Sequence, residues 1–205
     1  MAHISTPFIM YRLPEYRVSV SGGFWLLLGW FAWACGWRPL LCVLAASAAH
    51  EAGHYFVLRH FHARVKALRI HILGAVMEAD TSRLSYGQEL MAVFAGPGAN
   101  LFWAVVFSLW DAPRFSAFIG ANIVLCVFNL LPVCPLDGGR GLYLFLSWCL
   151  GTAAGERVSA LIGMLCGAAL GAGLCLVPLL SGGSLWILPP AAGISAAAIH
   201  LWKKK

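Results

Sequence analysis

The sequence predicts an α-helical integral membrane protein with about six transmembrane helices and a small membrane-associated β-hairpin between spans 2 and 3. Hydrophobic residues make up 60% of the 205-residue chain, charged residues make up 11%, and the mean hydropathy is +0.80. A typical soluble domain is about 45–50% apolar and about 25% charged. Apolar runs of about 20 residues, the length of one helical crossing of a bilayer, recur along the chain.

The six predicted spans are separated by short polar or helix-breaking segments. Arg38-Pro39 divides the first two spans, and the polar stretch 59–89 precedes the third. The segments 111–114, 134–157 and 181–183 give the remaining breaks. A chain of this length has room for one membrane domain over residues 1–205. The predicted spans are 18–37, 39–58, 90–110, 115–133, 158–180 and 184–202.

Basic residues flank the apolar runs, where they act as topology signals, so the net charge of +6 gives no indication of a nucleic-acid partner. With a cytoplasmic N-terminus, twelve Lys and Arg residues face the cytoplasm, and only Arg38 and Arg114 face outward. This bias predicts an even number of spans with both termini cytoplasmic. The twelve are Arg12, Arg17, Arg59, Arg64, Lys66, Arg69, Arg83, Arg140, Arg157, Lys203, Lys204 and Lys205.

The loop between spans 2 and 3 contains the predicted hairpin. Val65 to Met77 is rich in β-branched and aliphatic residues, and Gly74 is suited to the turn. A hairpin at the membrane face offers an edge to which an extended peptide can pair by strand addition, so we expect Gly74 to lie at a substrate-binding segment. The alternative is an interfacial loop whose Arg and Lys side chains reach toward water.

The segment His50-Glu51-Ala52-Gly53-His54 lies within the second span and has the pattern H-E-x-x-H. On a helix this spacing puts both imidazoles on one face, where they can bind one zinc ion. The glutamate between them is then available as a general base. Because ionisable side chains are costly in a bilayer, their presence at this depth indicates a functional site. The pattern predicts zinc-dependent hydrolysis inside the membrane.

A catalytic zinc usually has three protein ligands and a water. The best third ligand is Asp137, which follows Pro132 and Pro135 and precedes two glycines at the end of the fourth span. Such a sequence breaks a helix, and broken backbone at membrane depth is tolerated only where it is buried in protein or lines a cavity. Asn129 precedes this break and is suited to bind a substrate backbone or an oxyanion, or else to tie helices together.

Together these motifs resemble the site-2 proteases, a family of intramembrane zinc metalloproteases. The resemblance rests on H-E-x-x-H at 50–54, Asn129-x-x-Pro132, Leu136-Asp137-Gly138 and the stretch 95–100, Ala-Gly-Pro-Gly-Ala-Asn. It implies a catalytic core at about residues 39–140, with His50, His54 and Asp137 binding Zn²⁺, Glu51 as catalytic base and Asn129 positioning substrate. The six-span form is most similar to the branch that processes a sporulation sigma-factor precursor.

The resemblance implies regulated intramembrane proteolysis of a membrane-tethered protein near the cytoplasmic face of a bacterial cytoplasmic membrane. A sigma-factor precursor and an anti-sigma factor are the candidate substrates, and membrane-protein regulators are a further class of partner beside the lipid bilayer. We expect neither the CBS domain that this branch often carries nor a PDZ domain. A non-catalytic scaffold that binds membrane proteins, or a metal transporter using the same ligands, are the alternative functions.

Overall fold

Helices make up most of the part of the chain that the structure, a computed structural model, describes: residues 8–12, 17–71 and 74–181. These residues divide into two compact units, the first ending at Val127 and the second beginning at Phe128. The sixth predicted span, 184–202, lies outside the described residues.

The first unit contains α1 (Gly22–Cys35), α2 (Trp37–His60) and most of α3 (Tyr86–Asn129). Gly36 has φ +86 and lets the chain pass from α1 to α2 without a longer loop. Pro39 then falls in the first turn of α2, where its missing N–H costs no helical hydrogen bond. The break between the first two helices therefore lies at Gly36, two residues before the predicted Arg38-Pro39.

Helix α3 is two helical segments joined at a kink. Asp111 has φ −157 and ψ 80, which are not helical, and its Oδ1 accepts a hydrogen bond from the Arg114 backbone N–H at 3.2 Å. The carboxylate thus caps the second segment in the manner of an N-cap residue. The kink lies in the break predicted at 111–114, between the third and fourth spans.

Four strands form one mixed sheet within the first unit: β1 (Phe8–Arg12), β2 (Arg17–Ser21), β3 (Arg64–His71) and β4 (Gly74–Asp80). The order is β1-β2-β3-β4, with β2 parallel to β3 and the other pairs antiparallel. The predicted hairpin is the β3–β4 pair. The prediction of a span beginning at residue 18 was wrong, because Arg17 to Ser21 alternates polar and apolar residues with the period of a strand.

A small apolar cluster joins the sheet to the helices of the first unit. Leu58 of α2, Ala63 before β3 and Ala92 of α3 form its buried centre. Val65 and Met77, from the two strands of the hairpin, pack against that centre. The hairpin is thereby attached to the end of α2 that follows the two histidines.

The second unit contains α4 (Asp137–Leu150) and α5 (Thr152–Ser181), preceded by the non-helical segment 130–136. The prediction that 134–157 is a break was wrong in part, since α4 occupies most of it. Four of its five buried residues recur at helical spacing, so α4 packs one face inward; they are Gly138, Gly141, Leu144 and Ser147. At 14 residues it falls short of a full crossing.

Three helices within the described residues are long and apolar enough to cross a membrane. They are Trp37–His60, Tyr86–Asn129 and the part of α5 from Thr152 to Gly173. Helix α1 is also apolar but has only 14 residues. The chain is an integral membrane protein with a small sheet.

Candidate metal site

The two histidines of the H-E-x-x-H pattern lie on the buried face of α2. Ala46, His50, His54 and Leu58 are its buried residues and recur every fourth position, so they form one stripe along the helix. The histidines are only 6% and 8% exposed. Polar rings in such a position need hydrogen-bond partners or a metal ion to offset the loss of water.

Each ring has an oxygen acceptor at Nδ1. His50 Nδ1 lies 2.6 Å from Asn100 Oδ1, and His54 Nδ1 lies 2.8 Å from the carbonyl oxygen of Ala92. A carbonyl oxygen cannot donate, so each Nδ1 must carry the proton. In the neutral rings both Nε2 atoms therefore present lone pairs. Metal-binding histidines have this second hydrogen bond as a rule.

The two Nε2 atoms are only 3.1 Å apart. Two unprotonated nitrogens at this distance repel each other unless a cation lies between or beside them. Two nitrogen ligands at about 2.0–2.1 Å from a tetrahedral zinc ion are roughly 3.3–3.4 Å apart. The ring positions, tautomers and donor type therefore fit a shared zinc ion and explain why two buried imidazoles converge.

Two glycines make room for this pair of rings. A Cβ built on Gly53 of α2 would meet the Ala95 carbonyl oxygen of α3, so this glycine allows the two helices to pack in direct contact. A Cβ built on Gly96 of α3 would meet His54 Nε2 and would lie 2.7 Å from His50 Nε2. Gly96 thus makes room for the ends of both rings directly against α3.

The other predicted site residues lie on α2, at the end of α3 and at the starts of α4 and β4. Glu51 lies on α2, half-buried, one position after His50. Asn129 is the last residue of α3 and Asp137 the first of α4, and both are half-buried. Gly74 begins β4 opposite His71. The break predicted between Asn129 and Asp137 is present as segment 130–136, which includes a cis Cys134–Pro135 peptide bond.

The glycines after Asp137 are required by close packing within the second unit. A Cβ on Gly138 would meet the Leu130 carbonyl oxygen, and one on Gly139 would lie 2.6 Å from the Val133 carbonyl carbon. The start of α4 therefore folds directly onto the 130–136 segment. Asp137 stands at the helix N-terminus, where the helix dipole favours a carboxylate.

Glu78 and Asp80, the acidic residues nearest in sequence to the histidine motif on its C-terminal side, have other roles. Glu78 pairs with Arg69 at 2.9 Å, and Asp80 pairs with Lys66 at 3.0 Å, both across the β3–β4 hairpin. They stabilise the hairpin and do not compete with Asp137 as ligand candidates.

Sequence reasoning missed one buried polar residue beside the site. Asn122 on α3 is 0% exposed and bonds to Asn100, the partner of His50. The available signal was an amide inside an otherwise apolar span, seven residues before Asn129 and hence on the same face of an ideal helix. The Ala92 carbonyl at His54 carries no sequence signal at all, because every residue has one.

Comparison with known proteins shows which proteins this chain resembles. No family model matches the chain. It is 29% identical over 119 residues to stage IV sporulation protein FB of Bacillus subtilis, covering 54% of this chain and 41% of that protein. It is 27% identical over 137 residues to a zinc metalloprotease of Methanocaldococcus jannaschii, covering 62% of this chain and 40% of that protein.

The fold agrees with the sequence matches. The site-2 protease structure from Methanocaldococcus jannaschii superposes with a TM-score of 0.69 over 95% of this chain and 94% of that chain, at 21% identity. The chain therefore resembles the site-2 proteases in its fold and is similar in sequence to bacterial and archaeal proteins of this kind. The resemblance stated from the sequence motifs is therefore confirmed. The matches cover only about two fifths of each of the two curated relatives described above.

Proposed function

We propose that this protein is an intramembrane zinc endopeptidase that cleaves a membrane-tethered protein near the cytoplasmic face. The observation that carries the proposal is the convergence of the His50 and His54 Nε2 atoms at 3.1 Å inside an apolar helix pair. Replacing buried charged groups with well-packed apolar residues is often neutral or stabilising, so a converging pair of buried histidines favours a functional role. Relatives named as zinc metalloproteases support zinc as the ion.

Asp137 is the proposed third ligand. Two histidines and one carboxylate, with a position left for water, form a common ligand set of catalytic zinc. Support comes from Leu136-Asp137-Gly138 matching the family motif and from the tight glycine packing that fixes the start of α4. With Asp137 the site has three protein donors of the types that zinc prefers.

Glu51 is the proposed general base. Bound zinc would lower the pKa of a water molecule to about 7 and polarise the scissile carbonyl. Glu51 accepts a proton from the water that attacks the carbonyl carbon, then donates it to the leaving nitrogen as the C–N bond breaks. The water oxygen ends in the new carboxyl group, and the new amine carries the proton.

The depth of the site sets the position of cleavage. The 11 residues from Pro39 to His50 correspond to roughly 17 Å of helix, just past the midplane of a hydrocarbon core about 30 Å thick. The excess of basic residues favours the side beyond the midplane as cytoplasmic, with six spans and both termini on that side.

Single cysteines introduced at Ser82 and Ser116 should then react with a membrane-impermeant reagent from opposite sides of the membrane. Labelling of both from the same side would contradict this topology.

The hairpin and Asn129 are proposed to hold the substrate. A transmembrane helix protects its carbonyls by hydrogen bonding, so a substrate must unwind locally before cleavage. Among the described residues, β3 is paired on both sides, whereas β4, which begins at Gly74, pairs with β3 alone, and its other edge is suited to an extended peptide. Asn129 would bind the opened backbone, with a sigma-factor precursor or anti-sigma factor as candidate substrate.

The direct test uses Glu51→Gln, which keeps the size of the side chain and removes the base. Wild-type and variant proteins are reconstituted in liposomes with single-span peptides whose helix carries either a Gly-Pro pair or uninterrupted leucines. We expect the wild type to cut the Gly-Pro peptide within its apolar segment and the variant to be slower by about 10²–10⁴-fold.

Equal rates for the two proteins would contradict the assigned base. A zinc-loaded wild type that cuts neither peptide would count against proteolysis and favour a membrane-protein scaffold. Zinc flux into the liposomes without cleavage would favour a transporter. Product sizes are read by mass spectrometry, which also separates cleavage inside the apolar segment from cleavage outside it.

A further inference from the structure

A chain of buried amides extends from His50 across α3. Asn100 Oδ1 accepts from His50 Nδ1 at 2.6 Å, and Asn100 Nδ2 donates to Asn122 Oδ1 at 2.9 Å. Asn122 Nδ2 in turn donates to the Phe118 carbonyl oxygen at 2.9 Å. Both asparagine side chains are 0% exposed, and they are the largest fully buried side chains among the described residues.

The direction of every bond in this chain is fixed by two backbone carbonyls. Asn100 Nδ2 also donates to the Ala46 carbonyl oxygen at 2.9 Å, and a carbonyl can only accept. The amide nitrogen of Asn100 must therefore face Ala46, which turns its oxygen toward His50. The Phe118 carbonyl fixes Asn122 in the same way and turns its oxygen toward Asn100.

Asn100 thus holds one complete turn of α2. In an α-helix the Ala46 carbonyl also accepts from the backbone N–H of His50, four residues later. Asn100 bonds to this carbonyl with its nitrogen and to the His50 ring with its oxygen. Both of its N–H groups are used, so rotation of the amide would break three hydrogen bonds at once.

We infer that Asn100 and Asn122 act as positioning residues that hold His50 in the Nδ1–H tautomer and keep its Nε2 directed at the metal. Asn100 contacts the ring, and Asn122 acts through Asn100 by fixing the orientation of its amide. This inference rests on the proposed zinc site. The roles of Asn100 and Asn122 do not depend on which substrate the protein cleaves.

Variants at Asn122 test the second member of the pair without touching His50. Asn122→Leu has a similar size and removes both hydrogen bonds, whereas Asn122→Asp in its neutral form keeps one acceptor and one donor. Ile119→Ala is the matched control, because it removes buried volume on the same helix without a polar group. The dissociation constant for zinc is measured on each protein in detergent by competition with a chelator.

Loss of an outer partner of a metal-binding histidine costs about 10–100-fold in metal affinity. We expect Asn100→Leu to fall in that range, Asn122→Leu to lose about three- to tenfold, and Asn122→Asp and Ile119→Ala to stay close to wild type. Zinc affinity of Asn122→Leu equal to that of Ile119→Ala, in folded protein, would overturn the role of Asn122.

A second readout needs neither bound metal nor activity. ¹⁵N NMR of metal-free protein with labelled histidine reports which ring nitrogen of His50 carries the proton. We expect the Nδ1–H tautomer in the wild type and a mixture of both tautomers in Asn122→Leu. An unchanged tautomer and an unchanged zinc affinity in Asn122→Leu would refute the positioning role of the asparagine pair. A wild type that binds no zinc would instead refute the proposed function.

Discussion

Gly96 is the residue whose identity the metal site constrains most tightly. Its missing side chain leaves space directly against both Nε2 atoms, and nothing but a hydrogen atom fits there. From the sequence alone, this glycine could be assigned only to a stretch suited to close helix packing. Its contact with the histidine rings depends on how α2 crosses α3, which no local pattern of residues specifies.

Gly96→Ala should weaken zinc binding while the protein stays folded. The added Cβ would displace two ring ends, which can rotate, and alanine is favoured over glycine in a helix by about 0.5–1 kcal/mol. Gly98→Ala, two positions along the same helix and with nothing within 4 Å, is the matched control. We expect at least about a tenfold weaker zinc affinity for Gly96→Ala alone. Equal affinity in the two variants would contradict the position of the metal.

The histidine motif itself was predictable at the level of single residues. The H-E-x-x-H spacing fixes a common face for two rings on any helix, and the structure has both rings on one buried stripe. Asn122 was not predicted, since an amide in an apolar span has many uses. Its partner Asn100 lies 22 residues earlier, beyond the reach of helical periodicity.

At the scale of elements, long apolar helices were predicted well and short or amphipathic elements poorly. Helix α2 and the two segments of α3 come from long apolar runs, and a helix satisfies every backbone hydrogen bond of such a run inside a bilayer. Strand β2 was wrongly predicted as the start of the first span, because its two valines directly precede a long apolar run. Its partner β3 lies more than 40 residues later, so the parallel pairing had no local signal.

The hairpin contains an acidic group whose titration tests the described contacts. Hydrogen bonds from Ser82 and the neighbouring Lys66 lower the pKa of Asp80 from 3.8 to about 2. Because the folded pKa is depressed, the stabilisation is present above about pH 3.8 and is lost as the pH falls through about 2. Ionic contacts of Asp80 should therefore stabilise the hairpin throughout the physiological range.

Ser82→Ala should raise the pKa of Asp80 toward its ordinary value, because the hydroxyl donates to the carboxylate at 2.7 Å. Ser85→Ala is the control, since Ser85 bonds to Gln88 in the capping box that starts α3. The pKa is read from the carboxyl carbon shift by NMR. A pKa of Asp80 that is the same in Ser82→Ala as in wild type would show that this hydrogen bond is not formed.

At the scale of the whole molecule, the proposed function requires residues far apart in sequence to bind one ion. His50 and His54 lie on α2 of the first unit, and Asp137 begins α4 of the second. The motifs and the fold both favour this ligand set. The fold class and family were predictable because each motif is local, whereas the joint site is a property of the folded chain.

Metal content per chain is the measurement that tests this claim most directly. Elemental mass spectrometry is applied to purified wild type, His54→Ala and Asp137→Ala, with His60→Ala as the control for loss of an exposed histidine on the same helix. We predict about one zinc per chain in wild type and His60→Ala and none in the other two. Retention of zinc by folded Asp137→Ala would contradict the proposed ligand set, and absence of zinc from folded wild type would contradict the proposed function.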